Sequence, residues 1–455
     1  MATGETRTKW NSNNTLPQKQ ETDLFAISLS YEGKQPESTI LATPPAQIRT
    51  LLENSDARNY LYYGDNLPIL AKLLQDPDIQ GKVQLVYIDP PFATNSVFKS
   101  RSQKDAYPDL LTGSAFIEFL RQRLILLREL LSVDGSIYVH LDENMAFHIK
   151  VIMDEIFGRQ NFRNFITRRK CNPKNYTRNC YGDVSDYILF YTKTDNYVWN
   201  RAYEDWTTER ALKEYQYIEE GTGRRYKKVP IHAPGVRNGA TGQPWRGMNP
   251  PPGKHWQYPP DVLDEMDAKG EIYWSPTGNP RRKIYLDQSQ GIPVQDIWLD
   301  VKDAHNQNIK ITGYPTEKPP ELLSRIIRAS SNPDGLVLDC FSGSGTTLAV
   351  ASQLKRKWIG IDNSPEAIRT TLQRFIKGLE PMGDYVNKPD TKPSTLPLPI
   401  NIDSGNQITD LCIGATELYS GELDDDISQF ASYITSHNTR TVTQWQIGNR
   451  KYRDL

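Results

Sequence analysis

Two apolar periods alternate along this chain. Short unbroken runs, Leu85-Val86-Tyr87-Ile88, Ile137-Tyr138-Val139-His140-Leu141, Tyr187-Ile188-Leu189-Phe190-Tyr191, Leu336-Val337-Leu338 and Trp358-Ile359-Gly360-Ile361, read as buried strands. Between them apolar positions recur every three or four residues. Residues 114–131 place Phe116, Phe119, Leu120, Leu124, Leu127 and Leu131 at helical spacing, with Arg121, Arg123 and Arg128 mostly on other faces. This helix reads as core packing. A helix over 145–157 follows, another begins at Leu67, and a third opens at Leu348-Ala349-Val350-Ala351. Strand–helix alternation predicts an α/β fold, a mostly parallel sheet with helices on both faces. His140, alone on its strand, reads as structural.

Three stretches break the pattern. Residues 1–21 are polar, without the apolar core of a signal peptide, and read as a disordered arm. Residues 196–313 are dense in Gly and Pro and read as an insertion. From 381 the chain turns Pro-rich and runs to 455 as an accessory segment with no assigned role. The α/β core is thereby divided into 22–195 and 314–380. The polar loop 94–109, with Lys99, Arg101 and Lys104, is long enough to close over a site.

Composition excludes more than it assigns. No run approaches the ~20 apolar residues of a membrane span. The four cysteines form no Cys-x-x-Cys pair, so neither a zinc site nor a disulfide framework is expected, and a reducing cytoplasm is the expected compartment. The net charge of −1 gives no global nucleic-acid signature, so any such contact rests on local clusters.

The candidate chemistry sits where strands end. Asp89-Pro90-Pro91-Phe92 follows the first buried run directly. The prolines hold a carboxylate and a carbonyl rigidly. Both are acceptors, able to take the two hydrogens of one exocyclic NH2 while Phe92 stacks on the ring. A mere turn with a solvated acid is the alternative. Asp339 ends a second run, and Phe341-Ser342-Gly343-Ser344-Gly345-Thr346 leads from it into a helix. The glycines allow a tight turn and close approach to a ligand, and the helix N-terminus favours an anionic group. Leu348 replaces the third glycine of the dinucleotide fingerprint, and no Gly-Lys-Ser/Thr is present, so neither a dinucleotide loop nor a P-loop is indicated. Asp362-Asn363 ends the next strand, about 20 residues on, where an acid binds ribose hydroxyls. A nucleoside cofactor without pyrophosphate fits, and S-adenosylmethionine is one. Asp65-Asn66 forms an acidic turn before a helix, as a cofactor contact, an N-cap, or both.

In this order, the catalytic motif first and the glycine loop last, the chain resembles the circularly permuted β group of DNA amino-methyltransferases. Tyr314-Pro315-Thr316-Glu317-Lys318-Pro319 resembles their cofactor segment, which adds Thr316, Glu317 and Lys318 to the cofactor candidates. Gly278-Asn279-Pro280-Arg281-Arg282-Lys283 and the context of Asp89 look most like the modification subunits of type III restriction systems. The resemblance covers roughly residues 59–380 and implies a Rossmann-like S-adenosylmethionine-dependent fold. Its two core halves would be catalytic (22–195) and cofactor-binding (314–380), with a target-recognition insertion (196–313). The implied partners are double-stranded DNA, a second copy in a homodimer, and a restriction nuclease subunit; no nuclease or helicase motif lies in this chain. In the family, Asp before Pro-Pro leans to adenine N6 and Ser to cytosine N4. Cytosine N4, an RNA or protein amide, and an inactive DNA-binding subunit are the alternatives. Carbon-5 chemistry needs a cysteine after proline, and none of the four cysteines follows one.

Basic runs supply the DNA candidates. Residues 163–182 contain Arg168, Arg169 and Lys170 without one acid. Residues 221–258 are also acid-free and contain Arg224 and Arg225; Arg281 and Arg282 form a third cluster. Such runs suit phosphates and base edges, though a basic run is commonly just a solvated face.

Overall fold

The computed structural model describes residues 27–54, 57–91, 113–172, 179–303, 314, 317–377, 410–416 and 419–436, with the backbone of 96–99, 105–109, 445–447 and 450–452. The arm 1–21, Phe92, Thr316 and the side chains of the loop 94–109 lie outside the described residues.

Among the described residues, a sheet of twelve strands forms the body of the first of two units. Leu131–Leu141, Val83–Ile88, Leu336–Asp339, Lys357–Asp362, Asn59–Tyr63 and Leu411–Thr416 lie side by side in that order, all parallel. Ser185–Thr192 runs antiparallel beside Leu131–Leu141, and Phe162–Arg169 follows it.

Side-chain alternation divides the core between the two faces of the sheet. Val86, Ile88, Ile137, Val139, Ile359 and Ile361 pack with Leu70, Leu120, Leu124, Leu127, Ile149 and Met153 of the helices Asn66–Leu73, Gly113–Leu130 and Ala146–Phe157. On the other face Trp358 stacks on Phe375 of Pro365–Lys377, and Tyr138 bonds Ser330 at the end of Pro320–Ser330. Gly360 favours close packing there, because a Cβ would stand 2.5 Å from Leu348 Cδ1 and displace it. Its absence lets Thr346–Gln353 lie close on the sheet.

The chain order reverses between Val83–Ile88 and Leu336–Asp339. From the first strand the chain leaves toward Leu131–Leu141, and from the second toward Lys357–Asp362. Loops at the carboxyl ends of such a pair diverge and leave a crevice, the usual ligand position in open α/β sheets.

The second unit runs Arg201–Gln295. The insertion is therefore shorter than the expected 196–313. Ile297–Trp298 pairs with Phe162–Arg169 in the large sheet, and Val301 and Asp303 receive Arg168, so residues 297–303 belong with the first unit. This unit has a four-stranded antiparallel sheet in the order Tyr217–Ile218, Arg225–Pro230, Pro280–Tyr285, Ile272–Trp274. Trp245, Trp256, Leu263, Met266 and Ile272 form its core.

The C-terminal segment is partly sheet. Leu411–Thr416 pairs parallel with Asn59–Tyr63, and Asp424–His437 opens with three acids in its first turn, as the helix dipole favours.

Candidate active site

The strand Val83–Ile88 is buried, and its last turn of chain delivers Asp89, Pro90 and Pro91 to the crevice. Asp89 Oδ2 accepts from Lys318 Nζ. Its other oxygen, Oδ1, is buried without a hydrogen-bond partner among the described residues.

The neighbouring strand ends at Asp339, whose Oδ1 accepts from the Phe341 amide at 3.0 Å and fixes the start of the glycine loop. Gly343 and Gly345 adopt φ of +48° and +73°, in the left-handed region where a side chain is strained. The Gly343 amide donates to Asp362 Oδ2 at 2.8 Å, and the Ser364 amide donates to Asp362 Oδ1 at 2.9 Å. Asp362 thus ties two strand ends together. Burial pushes Asp339 up to about 7 and Asp362 up to about 6.

The helix Asn66–Leu73 supplies the third wall. Asp65 caps it, Oδ1 accepting from the Leu67 amide at 3.0 Å, while Asn66 Nδ2 donates to the Cys340 carbonyl at 2.6 Å. Arg123 binds both residues: Nε donates to Asn66 Oδ1 and Nη2 to Asp65 Oδ1. Its guanidinium lies 3.6 Å from the Phe119 ring centre.

These parts enclose one cavity of about 250 Å³. Asp89 and Gly343, 254 residues apart (343 − 89), both line it. So do Asp65, Asn66, Pro90, Pro91, Glu317, Lys318, Asp339, Phe341, Ser342, Ser344, Thr346, Asp362 and Asn363. Gly345 does not; its turn faces Thr371, where a Cβ would stand 2.6 Å from the hydroxyl. Glu317 is held by Arg374. Arg123, Phe119 and Tyr87 also line the cavity and are not among the sequence candidates, as does Tyr314, the first residue of the cofactor segment. Arg123 is one of three arginines in a helix that reads in sequence as core packing and not as a site.

The pocket suits S-adenosylmethionine. Ser342 Oγ is a second buried polar atom in its wall without a partner among the described residues. Buried polar groups are normally satisfied, so such an atom calls for a ligand or water. Beside it stand a left-handed glycine turn and an acid at the next strand end.

A polar chain runs from the cavity wall into the core. Tyr87 Oη lies 2.9 Å from His140 Nδ1, His140 Nε2 lies 2.8 Å from Asp186 Oδ2, and Arg168 Nη1 donates to the same oxygen at 2.9 Å. Although burial opposes it, His140, Arg168 and Lys318 hold the Asp186 carboxyl well below the usual carboxylate range. His140 is fully buried and is not part of the cavity lining.

Arg168 is a correction. It is fully buried and also donates to the Val301 carbonyl and Asp303, so its guanidinium is not presented to DNA. Strand alternation turned it inward, where Asp186 compensates its charge. Arg168→Met is expected to destabilise the fold by about 3–5 kcal/mol by taking the guanidinium partner from a buried carboxylate. Urea denaturation checks this.

The other basic candidates keep some exposure. Lys170 pairs with Asp183 at 2.7 Å, and Arg169 is half-buried. In the second unit Arg224 pairs with Asp287, Arg225 reaches the Tyr215 carbonyl, and Arg282 donates to Tyr258. Arg281 is exposed, on the opposite face of its strand from Arg282. Among the described residues no group of acids, histidines or cysteines could hold a metal, and no helix is long and apolar enough to cross a membrane.

Comparison with known proteins gives the family. The DNA methylase family of N6/N4 type matches residues 83–373. A type II methyltransferase of Enterobacter cloacae, M.EcaI, is 49% identical over 82% of this chain and 83% of its own length. The Mod subunit of the type III restriction-modification enzyme StyLTI of Salmonella typhimurium is 29% identical over 70% of this chain, which spans 54% of that subunit. The type II methyltransferase M.KpnI of Klebsiella pneumoniae is 27% identical over 68% of this chain and 80% of its own length. With the Asp-Pro-Pro loop and the glycine loop facing one cavity, the chain belongs to the N6/N4 DNA methylase family and is an S-adenosylmethionine-dependent DNA amino-methyltransferase.

Proposed function

We propose that the amine methylated is N6 of adenine in duplex DNA, and that Asp89 and Pro90 receive it. The observation that carries this reading is the buried, unpartnered Asp89 Oδ1, held at a strand end with Pro-Pro behind it. The choice of adenine follows from an Asp, and not a Ser, before Pro-Pro, the adenine pattern of the resembled family.

The cofactor, when bound, supplies an electrophilic sulfonium methyl. The protein's part is to place the acceptor. A base within a duplex hides its amine, so the base is flipped out at a cost of a few kcal/mol. Asp89 Oδ1 and the Pro90 carbonyl then accept its two hydrogens. This draws the nitrogen lone pair out of conjugation and toward the methyl donor. The methylated nitrogen is cationic and strongly acidic, and Asp89 takes its proton. Positioning and electrostatics supply the catalysis.

Within the second unit one face of the small sheet suits phosphate contact. Arg281 shares it with Lys228 and Lys283, which lie directly opposite each other across two strands. Like charges so placed destabilise a sheet unless an anion answers them. Glu219 answers Lys283, while Lys228 lies 3.6 and 3.4 Å from the ring centres of Tyr217 and Tyr273. Arg281→Ala is expected to weaken DNA binding evenly across sequences and to lower the salt slope of log K by about 1. Binding titrations at several salt concentrations read this directly.

The test of the target base is nucleoside analysis. Duplex DNA methylated by the protein is digested and its nucleosides separated by mass. N6-methyladenine is expected; N4-methylcytosine in its place would overturn the adenine reading. Modified-base sequencing of the same DNA gives the recognition site.

A further inference from the structure

We propose that Lys318 is a positioning residue for the acceptor amine, and not a cofactor ligand as its place in the Thr316-Glu317-Lys318 segment implied. It claims one oxygen of Asp89 and so fixes the other as the acceptor. The proposal rests on Asp89 receiving the amine.

The two oxygens of Asp89 are in different situations. Oδ2 is taken by the Lys318 ammonium, and Oδ1 is buried and open. A carboxylate is two-fold symmetric about its terminal torsion, and that torsion is soft. Left alone, Asp89 would present either oxygen over a broad range of angles. One fixed cation removes that freedom.

Lys318 is itself fixed. Its side chain is 8% exposed, and it stands before Pro319, which restricts it to extended backbone. Pro319 and Pro320 lead directly into the helix Pro320–Ser330. On its other side Glu317 is locked by Arg374. The Lys318 charge also acts on Asp186, at the end of the polar chain that begins at Tyr87. Lys318 is thus a buried cation held by its backbone and by Asp89 at the end of Val83–Ile88.

The consequence is specific. A methyl transfer needs the amine lone pair aligned with the sulfur–carbon bond, and misplacement of about 1 Å costs roughly 100-fold. Without Lys318 the carboxylate remains but its aim is lost. Cofactor affinity is expected to change little, because the ammonium is directed at Asp89.

The test is a double-mutant cycle on the full chain, with Lys318→Met, Asp89→Ala and the double variant. Lys318→Arg is the conservative rescue, and Lys318→Gln replaces the methionine variant if that one fails to fold. Single-turnover methyl transfer at saturating DNA and cofactor gives the rate, and calorimetry gives the cofactor Kd. Lys318→Met is expected to lower the rate about 100-fold with the Kd within threefold. Lys318→Arg should recover at least tenfold of that loss. In the Asp89→Ala background the same substitution should cost less than about threefold, because its target is gone. A loss confined to the cofactor Kd overturns the proposal, as does a full multiplicative loss in the double variant. Wild-type protein that transfers methyl groups to no DNA amine overturns the reading beneath it as well.

Discussion

Asp89→Ala is expected to lower methyl transfer roughly 10³-fold or more, in line with the ~10²–10⁴-fold contribution of a positioned general base. The substitution removes the acceptor of one amine hydrogen and the destination of the proton in one step. Cofactor affinity should stay within about threefold, because the glycine loop, Asp362 and Asn66 stand on other elements of the cavity wall. Transfer of labelled methyl groups to duplex DNA, with cofactor calorimetry on the same preparation, separates the two quantities. Turnover near the wild-type rate would place the chemistry elsewhere in the cavity. Asp89→Asn keeps the shape of the side chain and can still bond the Lys318 ammonium through its amide oxygen, so its residual rate isolates the charge and the proton acceptor from the packing.

Gly343→Asp is expected to abolish saturable cofactor binding, with a fall in affinity of about 100-fold or more. Two penalties add. The backbone at φ +48° strains any side chain by ~1–3 kcal/mol. The new carboxylate would also stand beside Asp362, which accepts from the same residue's amide, in a cavity where burial already resists ionisation of Asp362 and Asp339. Gly343→Ala carries the strain alone, since a Cβ there meets only Tyr314 at 3.5 Å, and should lose far less. Titration of cofactor into each variant checks the pair. Equal affinities for wild type and Gly343→Asp would show that the loop holds something else.

Much of the site was legible because its chemistry is local. Asp-Pro-Pro needs only consecutive residues to stiffen a strand end. The glycine loop needs only Gly343 and Gly345 where the backbone turns left-handed. Arg168 was misread for the same reason in reverse. In the sequence it stands among arginines and lysines, and only strand alternation turns it inward to Asp186 and Asp303. Arg123 was passed over because its partners, Asp65 and Asn66, are more than fifty positions away.

The sequence by itself determined the alternation of strands and helices, the two loops and the family they resemble, because each is written in contiguous residues. It could not show that Leu336–Asp339 pairs directly with Val83–Ile88, which makes one cavity of two distant motifs. Nor could it show that Leu411–Thr416 extends the same sheet, or that Ile297–Trp298 belongs to the core. Strand pairing is a choice among non-local partners that local pattern leaves open. The same holds for the site's charges. Lys318 was legible as a cation in a cofactor segment, and only packing between strand ends brought it onto Asp89 and left a single oxygen open.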